Sequence, residues 1–325
     1  MVYIMGVDGG GSKTYCVICD ERGERIGFGL AGCGNYQMVG INDAYHNIQS
    51  SIQSALSDAS LKIDDISFVQ FGLAGADRPK DFAILNNALE KLGFNRWDLV
   101  CDTMEGLRTG SPTNIGVVLI CGSGTNSAGR NSDGATAQTG GFGYLYGDWA
   151  GGYSMAQETF RTAVRSHEMR ESPSLLTQEV PKFFGFNSMG ELLQDFLDRD
   201  VTSVPADLTQ LLHQVADKHD PLAISILEKT GKELGLAAIS VIKKLGKFET
   251  TIPIVLTGSV LQKGKNKSLL DSILTTVKME ISDVELIIPN MEPVYGSVML
   301  AMDHLGLPVT DDIMKKFEEY GGYEK

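Results

Sequence analysis

The sequence predicts an α/β protein of two domains. Three observations carry that expectation. At 325 residues the chain is long enough for two hydrophobic cores. Apolar, β-branched runs alternate with amphipathic stretches at helical spacing. One device, an apolar strand entering a Gly/Ser/Thr loop and leaving as a second strand, occurs twice about a third of the chain apart. The two copies are IMGVDGGGSKT and VLICGSGTNS, a sign of duplication.

The first copy follows the apolar start MVYIMGV and runs into TYCVICD, the turn ERGE and the strand RIGFGL, so VDGGGSKT is the tip of a hairpin. Glycines let a ligand approach the backbone, and successive N–H groups in such a turn make a nest for an anion, which suggests phosphate. A plain hairpin turn is the competing reading. A Walker loop is excluded by spacing, since Val7 stands six residues before Lys13. A dinucleotide fingerprint is excluded because the loop leads into a strand and not a helix. Cys16 and Cys19 lie three apart in one strand and point to opposite faces, so they read as packed cysteines rather than a metal or redox pair.

A helix over INDAYHNIQSSIQSALSDA, a strand ISFVQFGLAG, a helix around DFAILNNALEKLG and a strand WDLVCD follow. Asp102 then opens TMEGLRTG, where Asp102 and Glu105 have the spacing of a helix capping box. The second glycine hairpin comes next, and NSDG at 131–134 supplies the following turn. Residues from about 150 to 250 read as helical, with a boundary at Asp220-Pro221. The strand TTIPIVLTGSV brings a third Gly/hydroxyl loop at Thr257-Gly258-Ser259, now entering a helix. A strand VELIIP, a helix VYGSVMLAMDHLG and a terminal helix over DDIMKKFEEYGGYEK complete the order.

A net charge of −13 leaves no basic stripe for nucleic acid, yet a glycine nest still suits a nucleotide. No apolar run is long enough to span a membrane, and no targeting signal is visible. Five cysteines without a secretory context point to the cytoplasm.

Taken together, DGGGSKT, CGSGTNS, TGGFGYLYGDWAGGYSMA and LTGSV resemble the N-acetylglucosamine kinase group of the BadF/BadG/BcrA/BcrD-type ATPases, over residues 2–303. The resemblance implies two actin/hexokinase-like (ribonuclease H-like) domains flanking a nucleotide and sugar cleft. It divides the chain into an N-terminal ATPase-like domain over 1–115 and a larger one over 116–309 with a helical insertion, the helix 310–325 packing back on the first. ATP and Mg²⁺ are the implied cofactors, a sugar the implied partner, and a homodimer the implied assembly.

The resemblance also implies residue roles. Asp8 positions Mg²⁺ through water. Gly10, Gly11, Ser12 and Lys13 form the first phosphate loop, and Gly122, Ser123, Gly124 and Thr125 the second. Gly258 and Ser259 lie against adenosine, with Ala216 near the adenine. Asn35, Asp102, Phe142, Gly143 and Asp148 contact the sugar, and Asp102 is the base for a hydroxyl expected to be the 6-hydroxyl. Relatives commonly read GGWGHxxGDEGS where this chain has Phe142, Tyr144 and Trp149, a departure that bears on which sugar is taken: N-acetylglucosamine, glucosamine, N-acetylmuramic acid or a hexose. Two other functions compete: an ATPase activator holding an iron–sulfur cluster, for which Cys101 and Cys121 do not form a bridging pair, and a regulatory nucleotide-binding module.

Overall fold

The computed structural model describes residues 2–321. The chain opens with β1 (Tyr3–Gly9), β2 (Thr14–Asp20) and β3 (Arg25–Ala31), then a short α1 (Tyr36–Val39) and the long α2 (Ile41–Ala59). β4 (Ile66–Leu73), α3 (Pro79–Leu89), β5 (Trp97–Cys101) and α4 (Asp102–Gly110) follow. The first sheet has the order β3-β2-β1-β4-β5, with β1 antiparallel to β2 and parallel to β4. This mixed order places the ends of β1, β4 and β5 side by side, where open α/β sheets bind ligands.

The chain continues through β6 (Gly116–Cys121), β7 (Thr125–Arg130) and β8 (Thr136–Thr139). Helices α5 (Gly152–His167), α6 (Leu176–Phe183), α7 (Met189–Asp198), α8 (Leu208–Asp217) and α9 (Pro221–Leu245) make the helical middle. Then come β9 (Ile252–Thr257), the short α10 (Ser259–Gln262), α11 (Lys267–Lys278) and β10 (Val284–Ile287), and last α12 (Val294–Leu305) and α13 (Asp311–Glu319). The second sheet has the order β10-β9-β6-β7-β8. Asp220 caps α9 by accepting from the Leu222 and Ala223 amides, with Pro221 in the first turn, so the boundary expected there is present. α6 lies in the stretch expected to be helical and carries Pro181 inside it.

Two compact units emerge: Met1–Val118 with Ala128–Thr136 and Ile287–Lys325, and Leu119–Ser127 with Ala137–Leu286. In the first unit, strand alternation splits the core. Met5, Val7, Cys16 and Ile18 face α2 and α3, while Ile4, Tyr15, Val17 and Cys19 face α12 and α13. Cys16 and Cys19 thus lie on opposite faces, both free thiols. α12, grouped with the second domain by the sequence reading, packs its Val294, Tyr295 and Val298 on the first sheet instead. The reason is contact: Gly6 of β1 has no Cβ where one would come within 2.8 Å of Val294 O. α13 packs Ile313 and Phe317 into the same layer, and residues 322–325 of the expected terminal helix lie outside the described residues. No helix among the described residues is long and apolar enough to cross a membrane.

Candidate active site

In the first unit, Asp8 lies next to the end of β1, in register with Tyr15 on one side and Gly72 on the other. It is nearly buried, and its carboxyl is pushed up to about 7, first by burial, next by the charge of Asp102, with Lys13 opposing. Behind it sits Glu105, wholly buried on α4. Ser297 Oγ of α12 donates to Glu105 Oε2 at 2.6 Å. A Cβ on Gly72 would fall 2.2 Å from that same oxygen, so glycine there makes the room. Glu105 Oε1 has no hydrogen-bond partner among the described residues, and the Glu105 carboxyl is held well above its ordinary range by burial and then by Asp8. Two acids so placed do not both ionise, so Glu105 keeps its proton and Asp8 titrates near neutrality.

The capping box expected of Asp102 and Glu105 is therefore absent. Cys101 is the N-cap residue of α4 without a side-chain cap, and Glu105 turns inward to Ser297. Asp102 begins α4 at the end of β5 and is partly exposed. Its carboxyl is pushed up to about 6 by desolvation, against a hydrogen bond that the Cys101 thiol donates to Oδ1 at 3.1 Å. Asp77 adds a further upward push; it follows β4 and takes a 3.6 Å contact from the same thiol. Sequence reasoning missed Asp77, although its place just beyond a parallel strand end was a usable signal.

The hairpin loop lies beside these acids. The Gly10 amide closes the turn on Lys13 O at 2.9 Å, while the amides of Gly11 and Ser12 have no acceptor among the described residues. Lys13 Nζ is paired with Glu292 at 2.7 Å. The Gly34 amide donates to Gly10 O at 3.0 Å and so sets Asn35 next to the loop. Asn35 Oδ1 caps α1 by accepting from the Gln37 amide at 2.9 Å, which leaves its Nδ2 without a partner among the described residues. The turn role and a ligand role thus fall on different atoms.

In the second unit, the loop Gly122–Thr125 is held from behind. The first-turn amides of α5, Gly152 and Tyr153, donate to Gly122 O (2.8 Å) and Ser123 O (3.1 Å), and the amides of Ser123 and Gly124 have no acceptor among the described residues. Neither Gly122 nor Gly124 has an atom within 4 Å of where a Cβ would stand, so packing alone does not call for glycine there. Gly258 does need to be glycine: its φ is +90°, and a Cβ would lie 2.5 Å from Cys121 O. That contact sets the third loop beside the second. Gln262 Oε1 accepts from the Gly258 amide at 2.9 Å. Ala216 is buried on α8, whose His213 ring meets Gly264 just beyond α10. Asp148 closes its own loop, Oδ2 accepting from the Phe142 and Gly143 amides at 2.7 and 2.6 Å, and Oδ1 has no hydrogen-bond donor among the described residues.

The family model of the BadF/BadG/BcrA/BcrD ATPases matches residues 5–301. Over 303 residues, 93% of this chain and 98% of the relative, the sequence is 25% identical to an N-acetylmuramic acid/N-acetylglucosamine kinase of Clostridium acetobutylicum. It is 28% identical over 313 residues to an N-acetyl-D-glucosamine kinase of Dictyostelium discoideum, covering 92% and 97% of the two chains. In fold it is similar to the solved structure of a candidate N-acetylglucosamine kinase of Chromobacterium violaceum, with a TM-score of 0.72 at 22% identity over 93% of this chain and 99% of that one.

Proposed function

The chain belongs to the BadF/BadG/BcrA/BcrD ATPase family, and from that premise we propose that it is an ATP-dependent sugar kinase acting on an amino sugar such as N-acetylglucosamine, as its curated relatives are named. The hydroxyl phosphorylated is the 6-hydroxyl, and the enzyme works in the cytoplasm as a homodimer. The observation that carries the reading is Asp102: a partly exposed carboxylate at a strand end, pushed up to about 6 by desolvation, in the same unit as the amides of the Gly10–Lys13 loop.

At neutral pH Asp102 is ionised and takes the hydroxyl proton, with Asn35 orienting the sugar from the same unit. Phe142, Gly143 and Asp148 contribute sugar contacts from the second unit. The amide nests at Gly10–Lys13 and Gly122–Thr125 take phosphate oxygens, while Ala216, Gly258 and Ser259 serve the nucleoside. No cluster of three metal-ligating side chains occurs among the described residues. Asp8, a single buried carboxyl at the phosphate loop, would hold a Mg²⁺ ion through water, and the ion would neutralise charge on the phosphates. The test is ADP release with MgATP across amino sugars and hexoses, parent against Asp102→Asn. Turnover of at least one sugar by the parent and its loss in the variant are expected; no turnover of any sugar overturns the reading.

A further inference from the structure

Lys13 ends the Gly10–Lys13 loop, and its ammonium is already engaged by an anion of this chain. Nζ donates to Glu292 Oε2 at 2.7 Å, between residues 279 positions apart. Neither end of the pair sits on a loose segment. Thr14, next to Lys13, is wholly buried as the first residue of β2. Met291 and Val294, on either side of Glu292, are buried in the layer over the first sheet. The Tyr295 amide donates to Glu292 O at 3.1 Å in the turn that opens α12. The Tyr15 ring attends Lys13 from another side, its centroid 5.1 Å from Nζ. The pair stands near Asp8, whose carboxyl is drawn down by Lys13 and pushed up by Glu292.

The pair is held in place but not sealed. The Lys13 side chain is 38% exposed and that of Glu292 18%, so water screens the attraction and parting the two costs little. A lysine ammonium is a compact point charge that accepts carboxylate or phosphate as its anion. We infer that Glu292 is an internal rival of nucleotide phosphate for Lys13: the carboxylate parks the ammonium at the loop, and phosphate takes it over on binding. The inference rests on the phosphate-loop reading of Gly10–Lys13. Glu292 then sets nucleotide affinity through Lys13, because part of each binding free energy goes into parting the pair.

The test is calorimetry of MgATP, with adenosine as the phosphate-free control, on the parent, Glu292→Gln, Lys13→Met and the double variant. Glu292→Gln should tighten MgATP binding about 3- to 10-fold and leave adenosine binding unchanged. Most of that gain should disappear when residue 13 is Met. MgATP binding that is unchanged or weaker in Glu292→Gln overturns the inference. An equal gain in both backgrounds also overturns it, since that is plain repulsion of phosphate by Glu292 with no exchange of partner. So does an absence of MgATP binding in every one of these proteins. None of these readings needs sugar turnover. A protein that binds MgATP but phosphorylates no sugar therefore refutes the kinase reading alone.

Discussion

Ser297 Oγ and Glu105 Oε2 meet at 2.6 Å although their residues lie 192 positions apart. This bond fixes an acid behind Asp8 that no ligand needs to touch. Glu105→Ala leaves the Ser297 hydroxyl without its acceptor and opens a hole backed by Gly72, so a loss of about 2–4 kcal/mol in urea unfolding is expected. Glu105→Gln keeps an oxygen for Ser297 and should stay within about 1 kcal/mol of the parent. Equal losses for the two variants would refute the neutral-acid description of Glu105.

Asp8 makes stability depend on pH in a set direction. Its folded pKa of about 7 stands above the ordinary 3.8. Well below pH 3.8 both states are protonated and nothing is lost. As pH rises toward 7 the unfolded chain ionises first, so the folded state loses stability, and the loss is complete above pH 7. Asp8→Asn removes the titration. Without nucleotide or metal, the variant should gain on the parent by about 1–4 kcal/mol between pH 4 and pH 8, while MgATP-dependent turnover falls. An identical stability difference at both pH values would contradict the raised pKa.

Asp102→Asn should lower kcat by about 10²–10⁴. Because Asp102 makes no side-chain cap, Asp102→Ala should also leave the melting temperature close to the parent's. The share of the acid limb of kcat/KM that Asp102 contributes near pH 6 should vanish in Asp102→Asn, leaving the limb that Asp8 contributes near pH 7. An undiminished kcat in Asp102→Asn removes the base from the mechanism.

Two glycines should separate ligand approach from folding. At Gly10 a Cβ meets nothing closer than Lys13 O at 3.6 Å, so Gly10→Val should fold within about 1 kcal/mol of the parent yet weaken MgATP binding at least tenfold. At Gly258 the φ of +90° and the Cys121 carbonyl oppose any side chain, so Gly258→Ala should cost about 2–4 kcal/mol of stability. Calorimetry and urea unfolding on both variants check the contrast; parental MgATP affinity in Gly10→Val would make VDGGGSKT merely a turn.

Local chemistry was legible in the sequence and long-range partnership was not. The three glycine loops, the opposed Cys16 and Cys19, the NSDG turn that begins at Asn131 and the Asp220-Pro221 boundary depend on near neighbours, and each could be read from spacing. Glu105 could not. Its three-residue spacing from Asp102 fits a cap, and only the arrival of Ser297 on α12 turns it inward. The placement of α12 escaped for the same reason, since an apolar helix carries no label for the sheet it will cover. Asp77 stood just beyond the end of β4, a signal that was there to be used.

The layer that α12 and α13 lay over β1 and β2 sets an order of events during translation. β1 and β2 leave the ribosome before their covering helices, which follow some 290 residues later. At about 5–20 residues per second, Ile4, Val17 and Cys19 wait roughly a quarter of a minute to a minute for their cover. The stretch 137–286 of the second unit is synthesised within that interval. The newborn chain thus carries an uncovered apolar sheet face through most of its synthesis.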